Sequence, residues 1–120
     1  MYRIEFDDAS RTLSVTVRDF WTEETRSAFK AEYRNLFQAC RRSGVPFKLF
    51  VDATDFMVQS GSTVTEIAAL HLEGARAERA PTAIVVGSVL LRKQVERAIV
   101  GDNIRVFPDR AAAVDWLGRQ

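Results

Sequence analysis

The stretch from Thr82 to Gly87 constrains this chain most, because Ala83, Ile84, Val85 and Val86 follow one another with no polar residue between them. A short strand that is apolar on both faces has to be covered on both faces. That is the position of a central strand in a parallel sheet flanked by helices. The flanking sequence agrees. Ser88 to Val100 predicts a helix with Leu91, Val95, Ala98 and Ile99 inward and Gly101 at its end. Upstream, Thr63-Val64-Thr65-Glu66 matches a capping box, which predicts a helix from there to about Arg79, with Pro81 beyond its end.

The remaining elements follow from periodicity. Tyr2, Ile4 and Phe6 alternate with Arg3, Glu5 and Asp7; after Asp8-Ala9-Ser10, Leu13, Val15 and Val17 alternate with polar residues. Period-two patterning on both sides of a polar turn predicts an antiparallel hairpin with one buried face. Thr22 then opens the longest helix, with Glu23 and Glu24 at its positive end and Arg41, Arg42 and Gly44 at its finish. Phe29, Tyr33, Leu36, Phe37 and Cys40 lie on one face of it, so Cys40 reads as a small core residue. Phe47 to Asp52 is the third strand, entered through Pro46, and Ile104 to Phe107 the fifth. Pro108-Asp109 starts a last helix with Ala113, Trp116 and Leu117 inward. The expected fold is therefore α/β, with a five-stranded mixed sheet and four helices in the order β-β-α-β-α-β-α-β-α. The N-terminal hairpin is antiparallel, and the later strands are parallel with right-handed crossovers. No repeat or linker interrupts residues 1–120, which read as one domain.

Composition narrows the function classes. The 17 basic and 16 acidic residues leave a net charge of +1, which argues against a dedicated nucleic-acid binder. A single cysteine excludes an intramolecular disulfide and a multi-cysteine metal site. No apolar run exceeds four residues, far below the ~20 that a membrane-spanning helix needs. No targeting pattern opens the chain, so a cytoplasmic protein is the simplest expectation.

At this point the chain resembles the STAS superfamily, the fold of bacterial anti-sigma factor antagonists, and within it the SpoIIAA-like group described as STAS/Sec14-like. The residues that carry the resemblance are the opening hairpin and Leu49-Phe50-Val51-Asp52-Ala53 before a long loop and the second helix. Ala83 to Gly87, Ile104 to Phe107 and Ala111 to Leu117 complete it. The resemblance implies a non-enzymatic regulatory or protein-interaction module. In phospho-switch members an Asp-Ser-Ser-Gly stretch precedes the second helix, and one of its serines is phosphorylated by a partner kinase. The matching stretch here is Val58-Gln59-Ser60-Gly61, where the aspartate and the switch serine are replaced. A phosphorylation role would have to fall to Ser60 or Ser62.

The candidate site is the expected loop from Ala53 to Ser62 together with Asp52, because open α/β sheets bind ligands beyond the carboxyl ends of their strands. Asp52 and Asp55 are carboxylates suited to a metal or a base. With no His, Cys or Glu beside them, turn chemistry is the preferred reading and no metal is expected. Phe56, Met57 and Val58 are consecutive apolar residues in this loop. They suit either a docking surface, completed by Gln59 and Ser60, or a lid on the core. His71, the single histidine, falls in the arc of Val64, Ile67, Ala68 and Ala75. It reads as a core or interface residue, or as the polar handle of an apolar pocket. A triad of Ser60, His71 and Asp52 lacks the Gly-x-Ser-x-Gly elbow, and no phosphate-binding glycine loop is present, so no cofactor is expected. Arg92, Lys93 and Arg97 read as a solvated helix face. The expected partner is thus a protein docked at the loop or, alternatively, a small apolar or lipid-like ligand. A second copy of the chain, paired through the hairpin edge, is a further expectation.

Overall fold

The structure, a computed structural model, describes residues 1–71, 73, 79–98 and 101–120. The hairpin is β1 (Tyr2–Asp7) and β2 (Thr12–Asp19), followed by α1 (Glu23–Arg42), β3 (Lys48–Phe56) and α2 (Gly61–His71). Next come β4 (Thr82–Val86), α3 (Val89–Ala98), β5 (Ile104–Phe107) and α4 (Arg110–Gly118). These strands form one sheet in sequence order, β1-β2-β3-β4-β5, antiparallel between β1 and β2 and parallel thereafter. The mixed α/β architecture expected from the sequence, STAS-like in its order of elements, is the one observed.

Local chemistry explains the elements. The Asp7 carboxylate accepts hydrogen bonds from the Ala9 amide and the Ser10 hydroxyl, which closes the hairpin turn. The Thr22 hydroxyl caps α1 by accepting from the Thr25 amide, and Gly44 leaves the helix with φ +69°. Every residue of β4 is buried, as its double-faced pattern requires. The core is correspondingly split. The larger part, beneath α1, α2 and α3, carries Leu13, Val15, Leu49, Ile84 and Leu91 together with a chain of aromatic rings. That chain runs through Tyr2, Trp21, Phe29, Tyr33, Phe37 and Phe47, with Phe56 edge-on to Trp21. The smaller part, beneath α4, gathers Phe50, Ala83, Val85, Ala113 and Leu117. Cys40 is buried on the inner face of α1.

Two expectations need correction, and a third lies largely outside the described residues. The third strand does not end at Asp52. β3 continues to Phe56 because β2 is long enough to keep pairing with it, Arg18 against Asp55 and Asp19 against Phe56, past a register shift after Thr16. The ten-residue loop shrinks to Met57–Ser60, and Asp52, Asp55 and Phe56 are strand residues. The second helix also starts earlier than the Thr63 capping box. Ser60 supplies the cap, its hydroxyl accepting from the Thr63 amide. Thr63 itself is fully buried, and its hydroxyl accepts from Arg26 Nη1 at 2.8 Å. Glu66 lies 3.1 Å from Arg26 Nε and pairs with α1 in place of the helix start. Finally, α2 is described to His71 and Arg79 sits in a turn with φ +55°. The expected course between them falls largely on residues 72 and 74–78, outside the described residues, as do Ala75 and the expected inward Ile99.

Candidate functional site

Parallel pairing brings the carboxyl ends of β2, β3 and β4 to one rim of the sheet, and the connections leaving them lie side by side. The connection after β2 starts at Asp19, whose φ of +65° turns the chain sharply. Its carbonyl accepts the Met57 amide at 3.3 Å and Gln59 Nε2 at 2.7 Å. Gln59 is buried despite its polarity because every arm of its amide is used. Oε1 accepts the Trp21 amide at 3.0 Å, and Nε2 also donates to the Met57 carbonyl at 2.6 Å. From α3, Gln94 donates to the Gln59 carbonyl. The turn after β4 is drawn in as well: a Cβ on Gly87 would stand 2.9 Å from the Thr54 carbonyl oxygen, so only glycine permits this approach.

These bonds hold three connections as one platform, and apolar side chains stand out from it. Phe20, Met57, Val58, Val89 and Leu90 are between 43% and 66% exposed. Phe56, by contrast, is 8% exposed and packs on Trp21, so the three-residue apolar run divides into one core residue and two surface residues. Phe20, Val89 and Leu90 escaped the sequence reading. Each looks unremarkable singly, and only the topology places them beside the loop.

Gln59 is the clip of this platform, so its removal has a definite consequence. Gln59→Ala leaves the buried Trp21 amide without an acceptor and is expected to cost about 1–3 kcal/mol. Urea denaturation measures the loss, and faster hydrogen exchange at the Trp21 and Met57 amides locates it. An unchanged midpoint would contradict the clip.

The other expected site residues are dispersed. Asp52 Oδ1 accepts the Thr54 amide and hydroxyl, and Oδ2 pairs with Arg110 of α4 at 3.2 Å. Arg110 also lies over the Phe50 ring. Asp55 is exposed on β3 opposite Arg18. Among the described residues no three His, Cys, Asp or Glu side chains gather as a metal site would require. Ser60 and Ser62 are exposed at the start of α2, their hydroxyls 3.2 Å apart, with Arg26 Nη1 3.4 Å from Ser62. His71 is buried on the opposite side of the sheet from the Asp52–Arg110 pair, and burial lowers its pKa to about 4. Ser60, His71 and Asp52 therefore do not form a triad. Among the described residues, no helix is long and apolar enough to cross a membrane.

No protein-family profile matches the chain, and no curated protein matches it in sequence. Solved structures do match in fold. A glutamate-for-serine variant of RsbS from Moorella thermoacetica superposes with a TM-score of 0.71 at 13% identity, covering 98% of this chain and 94% of its own. The anti-sigma factor antagonist SpoIIAA, in its unphosphorylated form, gives 0.70 at 12% identity, covering 100% and 98%. An uncharacterised DUF3478-family protein with a SpoIIAA-like fold from Shewanella loihica gives 0.65 at 20% identity, covering 98% and 92%. The chain has the SpoIIAA-like fold.

Proposed function

We propose that this chain is a non-enzymatic regulatory module of STAS type that docks a protein partner on the rim formed by Phe20, Met57, Val58, Val89 and Leu90. The observation that carries this reading is five exposed apolar side chains at one rim of the sheet, on two connections that internal hydrogen bonds hold in place and on the first turn of α3. Isolated exposed apolar residues are ordinary; a cluster on a preorganised platform is the pattern of an interaction surface. The fold neighbours support it by kind, since SpoIIAA, matched in both its unphosphorylated and its phosphorylated form, is an anti-sigma factor antagonist.

Met57→Asp and Leu90→Asp place charges on the rim and are expected to leave stability within about 0.5 kcal/mol of the parent. Each is expected to weaken partner binding at least about tenfold. Val114→Asp, on the exposed face of α4, serves as the control. Titration of partners recovered with the parent chain, compared across the three variants, is the measurement. Equal binding by all three would end the proposal. Phe56 is unsuitable for this test because it is buried.

Phosphorylation control of this surface would use Ser60 or Ser62. A phosphate there would lie at the amino end of α2 and near Arg26. Phosphopeptide mass spectrometry on protein from its host would find it. Self-association through the β1 edge is the companion proposal, and light scattering that returns a monomer would remove it.

A further inference from the structure

Strand β1 closes the sheet at one side, and among the described residues nothing pairs with its outer edge. Which of its groups face that edge follows from the pairing with β2. Met1 and Arg18 exchange both of their backbone hydrogen bonds. In an antiparallel ladder such pairs alternate, so Arg3, Glu5 and Asp7 also turn their amides and carbonyls toward β2. Tyr2, Ile4 and Phe6 therefore point theirs outward.

The side chains divide along the same lines. Tyr2, Ile4 and Phe6 are half-buried and pack against the core. Arg3 and Glu5 stand on the opposite face, exposed, and pair with each other along the strand. Read outward from Ile4, the strand is symmetric in size and inverted in charge: Arg3 answers Glu5, and Tyr2 answers Phe6. Bare edges are commonly blunted with a lysine, a proline or a bulge. β1 carries no lysine, proline or register shift. Its charges instead complement a reversed copy of themselves.

We propose that a second copy of this chain adds to β1 as an antiparallel strand, about a twofold axis at Ile4; this rests on the self-association reading above and gives it a register. Ile4 then faces the partner's Ile4, Tyr2 the partner's Phe6, and Arg3 the partner's Glu5. The outward amides and carbonyls of the two strands meet in phase. Arg3 and the partner's Glu5 fall on a non-hydrogen-bonded pair, the kind whose side chains come closer. Together with the pair inside each strand they make a square of alternating charge. Other registers are worse. An odd offset sets the outward groups against residues whose own amides face β2. Centring on Arg3 opposes two guanidinium groups and centring on Glu5 two carboxylates, and like charges directly opposite are destabilising.

The twofold axis reverses the strand direction, so the two docking rims lie at opposite ends of one continuous sheet. Self-pairing and partner docking are then independent, and Met57→Asp is expected to pair like the parent chain.

The test combines sedimentation equilibrium of the full chain with hydrogen exchange. A concentration-dependent dimer is expected, with the amides of Tyr2, Ile4 and Phe6 exchanging more slowly as it forms. Arg3→Glu and Glu5→Arg each set like charges opposite one another at two symmetric places, and each is expected to weaken pairing about tenfold. The double variant Arg3→Glu/Glu5→Arg restores both pairs and is expected to return to within about twofold of the parent. Both positions are exposed, and circular dichroism checks that each variant keeps its fold. A parent chain that stays monomeric overturns self-association itself. A dimer whose β1 amides exchange as in the monomer overturns the edge. Protected β1 amides with single variants as tight as the parent, or with a double variant as weak as the singles, overturn the register alone.

Discussion

Replacing Trp21 with alanine is expected to destabilise the protein by about 3–5 kcal/mol, a large part of the roughly 5–15 kcal/mol that holds a domain folded. Trp21 is only 2% exposed, and its ring meets those of Tyr2, Phe29 and Phe56 at centroid distances between 4.9 and 5.9 Å. It therefore joins β1, α1 and the end of β3 at one point. The indole Nε1 also donates to the Arg18 carbonyl at 2.9 Å, which reinforces the turn leaving β2. Truncation empties the middle of this contact and removes the shorter of the two bonds to that carbonyl, which keeps only the Met1 amino group at 3.3 Å. Trp21→Phe keeps most of the ring contact and is expected to lose much less. Urea denaturation of both variants checks the pair, and a loss below about 1 kcal/mol for Trp21→Ala would show that the aromatic chain is not the keystone described.

Acid is expected to weaken the fold in a window set by His71. Burial lowers its pKa in the folded chain to about 4, from the ordinary 6.5. Below pH 6.5 the unfolded chain takes up a proton that the folded chain refuses. Stability is therefore full above that pH and falls as the pH drops toward 4, where the folded form also protonates. At about 1.4 kcal/mol per pH unit, the loss across the window is about 3 kcal/mol. Denaturation curves between pH 7.5 and 4, compared with those of His71→Leu, isolate the histidine's share. Parallel curves for the two proteins would show that His71 accepts a proton freely in the folded state. The Tyr33 hydroxyl is buried as well, but burial pushes its pKa upward, so it stays protonated throughout this range.

How much of this was readable beforehand depended on whether the signal was local. The double-faced apolar run of β4, the alternation of the hairpin and the Phe29-Tyr33-Phe37-Cys40 face of α1 are properties of short windows, and the elements follow them. The far end of β3 is not such a property. Thr54 and Asp55 are both exposed, which breaks the alternation, and this segment is a strand only because a distant β2 pairs with it across a register shift. Gln59 was equally opaque, since a glutamine in a loop ordinarily faces water, and its burial depends on carbonyls and an amide supplied by residues around Asp19 and Trp21. The helix cap was misplaced for the same reason: the box at Thr63 is a local pattern, but Arg26, distant in sequence, donates to that hydroxyl and Ser60 caps the helix instead.

The sheet order β1-β2-β3-β4-β5 repeats the order of the strands along the chain. During synthesis each strand can therefore join the edge left by the one before it, and no finished pair has to reopen to admit a latecomer. Contacts of short sequence separation favour fast assembly. The two faces of the growing sheet are not served equally, however. Helices α1, α2 and α3 arrive between the strands and cover their side as it forms, while Phe50, Ala83 and Val85 wait for α4, which follows every strand. A nascent chain that stalls after β5 carries a nearly complete sheet with one oily side bare, and that intermediate is the one most in need of a chaperone.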